Sequence, residues 1–203
     1  MKTNRAALVL GLIALGSIYP LSRMYSDSGV MYTKRPKAPS GLPQAELLPA
    51  PGFRFTNSQG QEVTAESLKG KVYTLNFFFT SCPHVCPAIT KNLKTAQDEF
   101  GSTGQFQMVS ISVDPDTDTP EKLNAFAEKN GVDLSTWNLV RGPIEEVRTL
   151  AEVGLKIPLG SDANVHSNRA ILIDKQGMIR GTFLALKPTE VERMRGEIAK
   201  IIG

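Results

Sequence analysis

The sequence predicts an α/β domain whose parallel or mixed β-sheet is covered by helices on both faces. From Phe53 onward, apolar runs of strand length alternate with segments of helical spacing. The strongest run, KVYTLNFFFT at residues 71–80, is almost continuously apolar, aromatic and branched, as a central strand buried on both faces requires. A chain of 203 residues, 41% hydrophobic and 21% charged, has room for one ordinary domain with a real core plus appendages.

The elements run in order along the chain. FRFTNSQGQEV alternates and turns at Gln59-Gly60, which predicts a hairpin. SLKGK at 67–71 is a turn leading into the 71–80 strand. ITKNLKTAQDEF sets Ile89, Leu93, Ala96 and Phe100 at helical spacing, and QFQMVSISV at 105–113 is the next buried strand. Thr119 then caps a helix with Pro120 in its first position and Glu121 in its first turn, running to about Asn130. NLVRG at 138–142 is a short strand and PIEEVRTLAEVG a helix. RAILID and GMIRGTFLAL flank the turn Lys175-Gln176-Gly177 and pair as a hairpin, and PTEVERMRGEIAKIIG closes the chain as an amphipathic helix. Trp137 has no motif around it and belongs to the core.

Two amino-terminal segments lie outside this pattern. In residues 1–23, Lys2 and Arg5 precede an uncharged, mainly apolar run from Ala6 to Leu21 that Ser22 and Arg23 end. This is the layout of a signal anchor, with a cleaved secretory signal as the alternative, and either one exports the domain. No cysteine lies near it to carry a lipid. Residues 24–52 hold five of the thirteen prolines and little periodicity, which predicts a spacer between membrane and domain. The folded domain is expected to cover 53–203. The formal charge of +3 is small and no Lys/Arg cluster is interleaved with aromatics, so nucleic acid is excluded as a partner.

In an alternating sheet, chemistry collects at the carboxyl end of a central strand. There the sequence places SCPHVCP, with Cys82 and Cys86, the only two cysteines, four residues apart. A disulfide between them closes a loop too small to stabilise much, which makes a purely structural bridge the weakest reading. A redox dithiol and a two-thiolate metal site remain. Pro87 cannot donate a hydrogen bond deep in a helix, so the helix is expected to start near Cys86 with Cys82 in the loop above. Helix-start N–H groups and the helix dipole would favour thiolates and lower their pKa values.

Two thiolates need a third ligand, and the histidines are His84 and His166. His84 lies between the cysteines and points to solvent or to the rim of the site. His166 lies on the loop just before the penultimate strand. Entering an antiparallel edge, that loop can reach the end of the sheet that carries the cysteines. A set of Cys82, Cys86 and His166 is soft and three-coordinate, which suits Cu(I) and accepts Cu(II) with a further oxygen. Structural zinc prefers four closed ligands. DPDTDTP at 114–120 starts like a calcium loop but has Thr119 where glycine is needed and Ala125 where glutamate is needed. It is read as a turn and helix cap that can rim the cysteine site.

FFFTSCPHVCP, then SVDPDTDTP, then VHSNRAILIDKQGMIRG, together resemble the Sco/SenC family of thioredoxin-like proteins, and the likeness runs from about residue 53 to 203. His84 and Val165 stand where that family commonly has aspartate. The resemblance implies a thioredoxin-like fold with a central mixed sheet, membrane tethering, and copper bound by Cys82, Cys86 and His166. It implies a role as assembly factor for the binuclear copper site of cytochrome c oxidase, with the copper-bearing oxidase subunit or another exported cuproprotein as partner. The alternative it allows is a thiol–disulfide oxidoreductase that uses Cys82 and Cys86 to reduce a target's cysteines. A peroxidase is disfavoured, because Asn76 stands where the peroxidatic pattern has proline.

Overall fold

A computed structural model describes residues 47–159 and 167–203. Seven strands form one mixed sheet: β1 (Arg54–Asn57), β2 (Glu62–Thr64), β3 (Val72–Phe78), β4 (Phe106–Ser112), β5 (Trp137–Arg141), β6 (Arg169–Ile173) and β7 (Ile179–Leu184). Their order is β2-β1-β5-β4-β3-β6-β7. The centre is parallel, β3 with β4 and β4 with β5, and antiparallel strands flank it on both sides. Four helices, α1 (Val85–Phe100), α2 (Pro120–Asn130), α3 (Ile144–Arg148) and α4 (Pro188–Ile202), complete the domain. The expected mixed sheet with helices on both faces is what forms.

The sheet divides the core in two. β3 is buried at all seven positions, and its side chains alternate between the layers. Tyr73, Leu75 and Phe77 pack toward Val147 and Leu150, while Val72 and Phe78 pack toward Leu93, Phe126 and Met194. Polar Thr74 and Asn76 are buried within this apolar run. Asn76 is satisfied by accepting from Ser110 Oγ at 2.7 Å, and Ser110 Oγ in turn accepts from Trp137 Nε1 at 2.8 Å. Trp137 is thus a core residue with its indole N–H partnered, as burial of tryptophan demands.

Local chemistry explains most boundaries. Asn57 Oδ1 accepts from the N–H groups of Gln59 and Gln61 at 3.0 and 2.9 Å, folding the β1–β2 turn. Thr119 accepts from the Lys122 N–H to cap α2, and Gly131, left-handed at φ 65°, ends it. Two departures from expectation stand out. The single helix predicted over 143–154 is α-helical only to Arg148 and continues as a π-turn, Thr149–Gly154, where the Leu155 N–H reaches the Leu150 carbonyl. There Gly154 comes so close to Pro51 that a Cβ would lie 2.8 Å from its ring. The chain is also tied to the fold before Phe53: the Ala50 N–H bonds the Gly177 carbonyl and the Ile179 N–H bonds the Leu48 carbonyl, both at 2.8 Å. Residues 1–23, and the spacer up to residue 46, lie outside the described residues. Among those described, no helix is long and apolar enough to cross a membrane.

Candidate metal and dithiol site

β3 and β4 run parallel with Phe78 opposite Ser112, so the loops leaving them start side by side. One carboxylate fastens the two loops. Asp118 is fully buried and accepts from the Thr80 backbone N–H at 3.0 Å, from Thr80 Oγ1 at 2.5 Å and from Ser112 Oγ at 2.5 Å. The acidic loop does form the expected turn, with the N–H groups of Thr117 and Asp118 bonded to the Asp114 carbonyl. Its last aspartate, however, faces inward and holds the segment that delivers Cys82 two residues later. Sequence reasoning assigned Asp118 no such role. The nearest signal was its position beside the cap Thr119, because Thr80 lies 38 residues upstream.

The chain then turns, with the Cys82 N–H reaching the Phe79 carbonyl at 3.4 Å, and α1 begins at Val85. This matches the start inferred from Pro87, which falls in the first turn where no N–H is required. His84 is exposed at the N-cap position and its side chain caps nothing. The cysteines are buried, at 4% exposure for Cys82 and 1% for Cys86. Neither is in a disulfide. The Cys86 N–H, one of the donors a helix start leaves without a carbonyl, points to Cys82 Sγ at 3.1 Å.

Burial overturns one expectation. The helix start was expected to lower the thiol pKa values, yet Cys86 is pushed up from 9.0 to about 12. Desolvation is the main cause. The hydrogen bond that the protonated Cys86 makes to Cys82 and the negative charges of Cys82 and Asp118 add to it, while the Phe79 backbone partly offsets it. A folded-state pKa above the unfolded one means stability that is complete below pH 9 and is lost as pH rises toward 12. The reduced protein should therefore lose about 1.4 kcal/mol per pH unit above pH 9 from this group. Urea midpoints at about pH 8.5 and 10 measure the loss, and Cys86→Ala should remove most of the slope.

His166 lies outside the described residues. Just beyond it, β6 runs antiparallel to β3 with Ala170 opposite Asn76, so the chain entering β6 passes the carboxyl end of β3. Ser167 there is buried, and the Asn168 carbonyl accepts from the Ala185 N–H at 2.7 Å. Among the described residues no three His, Cys, Asp or Glu side chains are grouped to hold a metal. The two sulfurs are a soft donor pair.

Known proteins share this fold. The SCO1/SenC family model matches residues 43–203. A SCO1/SenC family lipoprotein from Bacillus anthracis is 31% identical, covering 78% of this chain and 98% of its own, with a TM-score of 0.71. BsSco, described as a member of the Sco family of cytochrome c oxidase assembly proteins and as having a disulfide switch, is 24% identical over 77% of this chain and 95% of its own, at 0.69. Arabidopsis thaliana ScoI, solved with copper bound, is 23% identical over 76% and 98%, at 0.64. These last two likenesses establish the thioredoxin-like Sco fold. With a family match across most of its length and the cysteine pair at the end of the central strand, this chain belongs to the SCO1/SenC family.

Proposed function

We propose that the protein binds copper through the thiolates of Cys82 and Cys86 with His166 as the third ligand. In this reading it is an assembly factor that carries copper to the binuclear site of cytochrome c oxidase. The observation that carries it is the pair of buried cysteines at the carboxyl end of the central strand, with the Cys86 backbone N–H donating to Cys82 Sγ at 3.1 Å. The copper in a relative and the oxidase role of another support it. Soft, water-shielded sulfur suits Cu(I), and copper here is cargo rather than a resident cofactor. We also place the domain on the extracytoplasmic side of a membrane, tethered by residues 1–23, on the strength of the charged start and apolar run there.

Copper must displace the Cys86 proton, which is held up to about pH 12. Cu(I) affinity should therefore rise about tenfold per pH unit from this group alone. Titration of the reduced protein against a competing chelator at about pH 6, 7 and 8 should give one copper per chain and at least that slope. No binding, or no dependence on pH, contradicts the reading.

A second reading, a membrane-tethered thiol–disulfide oxidoreductase using the same cysteines, draws on the hydrogen bond between the two side chains and on the disulfide switch of BsSco. Exchange with protein disulfides, if measured, would support it. A very low reduction potential with no such exchange rules it out.

A further inference from the structure

Beside the cysteines, a cleft of about 340 Å³ opens between the SCPH loop and α2. Ser81 and Cys82 form one wall, and Lys122, Phe126, Lys129 and Asn130 form the other. Phe126 is fixed by its ring contact with Phe78, 5.2 Å between centroids, so this wall belongs to the core. Cys82 reaches the cleft, while Cys86 lies behind it and does not line it.

The charge of the cleft is one-sided. Lys122 and Lys129, seven residues apart, lie on one face of α2, and both line the cleft. The ion pairs among the described residues occupy Lys69, Lys94 and Lys200 and several arginines, but neither of these two lysines. Their sequence neighbours Glu121 and Glu128 are one residue away, a spacing that does not put side chains face to face on a helix. Asp118, the nearest buried carboxylate, is held by Thr80 and Ser112. Among the described residues no carboxylate lines the cleft. Its volume, at the low end for ligand pockets, fits a few side chains of an extended segment.

We propose that this cleft docks an acidic, extended segment of the partner protein, bringing the partner's sulfur to Cys82 while Lys122 and Lys129 hold flanking carboxylates. The proposal rests on the reading that Cys82 exchanges a group with a partner, but not on copper. It makes Lys122 and Lys129 positioning residues that select the partner by charge and accelerate its arrival.

The probe is a pair of blocked pentapeptides, Gly-Asp-Cys-Glu-Gly and Gly-Lys-Cys-Lys-Gly, each with its cysteine joined to 2-thiopyridine by a disulfide. In the full-length, reduced, metal-free chain the Cys82 thiolate attacks the peptide sulfur, a new S–S bond forms and the bond to thiopyridine breaks. The departing thiolate takes a proton and absorbs as 2-thiopyridone, so Cys82 is oxidised as the reagent is reduced. Cys86→Ser traps the mixed disulfide and identifies Cys82 by mass. The parent should react about tenfold faster with the acidic peptide than with the basic one, and K122E/K129E should reverse that order. K69E/K175E makes the same charge change at the opposite end of the sheet, where the Gly70 N–H bonds the Lys175 carbonyl, and should keep the parent's order. Equal rates in the parent, an unreversed order in K122E/K129E, or an equal effect from K69E/K175E overturns the proposal. Cu(I) titration of the same proteins separates the two readings. Failure to bind copper with the charge preference intact would overturn the copper reading and leave the cleft standing.

Discussion

Replacing Cys86 with serine should lower Cu(I) affinity by more than about 100-fold, since partners that merely orient a ligand are worth up to about that much. A serine hydroxyl is a hard, weakly acidic donor that cannot replace a thiolate for a soft ion. It would also sit in a site that is 1% exposed, where its hydrogen bonds must be found locally. The expected cost to folding is about 1–3 kcal/mol. Cys82→Ser should lose copper similarly while also weakening the bond that the Cys86 N–H makes at the start of α1. Competition with a chelator gives the affinity, and urea unfolding of the metal-free protein shows that the loss is not a loss of fold. Wild-type affinity in either variant would remove that cysteine from the ligand set.

Asp118→Ala should be the most destabilising single change near the site, by about 3 kcal/mol, since several buried donors lose their acceptor at once. It strips the acceptor from Thr80 N–H, Thr80 Oγ1 and Ser112 Oγ in a place where the carboxylate itself has no exposure. Each orphaned donor then carries its own desolvation cost. Asp118→Asn keeps one oxygen but turns an N–H₂ toward donors, so it should cost less while still loosening the loop. Copper affinity should fall about 10–100-fold in Asp118→Asn, because Thr80 is two residues from Cys82. Urea midpoints and chelator competition check both. A midpoint for Asp118→Ala within error of the parent would show that the clasp between the loops is not a structural anchor.

What could be read from the sequence depended on how local the cause was. The 71–80 run was legible because every position of Val72–Phe78 is buried, which a continuous apolar strand signals directly. The cap at Thr119, the helix end near Asn130 and the turn at Gln59-Gly60 each depend on residues within four positions of one another. The start of α1 could be placed because Pro87 constrains its own helix. The π-turn could not, since helical spacing through Leu150 and Val153 is the same in sequence whether one turn is widened or not. Asp118 was indistinguishable from Asp114 and Asp116, because its partner Thr80 comes from another strand's loop. The Cys86 pKa was anticipated with the wrong sign. A helix start is a local feature, whereas the desolvation that outweighs it comes from the packing of Cys86 into a core shared with Phe78, Ile89 and Leu93. The cysteine pair was legible from its strand-end position.

In the proposed three-ligand site, His166 is the residue that would separate copper binding from a bare dithiol. The deciding measurement is the Cu(I) affinity of His166→Ala beside the parent and His84→Ala, all reduced and titrated against the same chelator at neutral pH. Affinity should fall at least about 100-fold in His166→Ala and stay parent-like in His84→Ala, whose side chain is exposed and caps nothing. Parent-like binding by His166→Ala would contradict the three-ligand site.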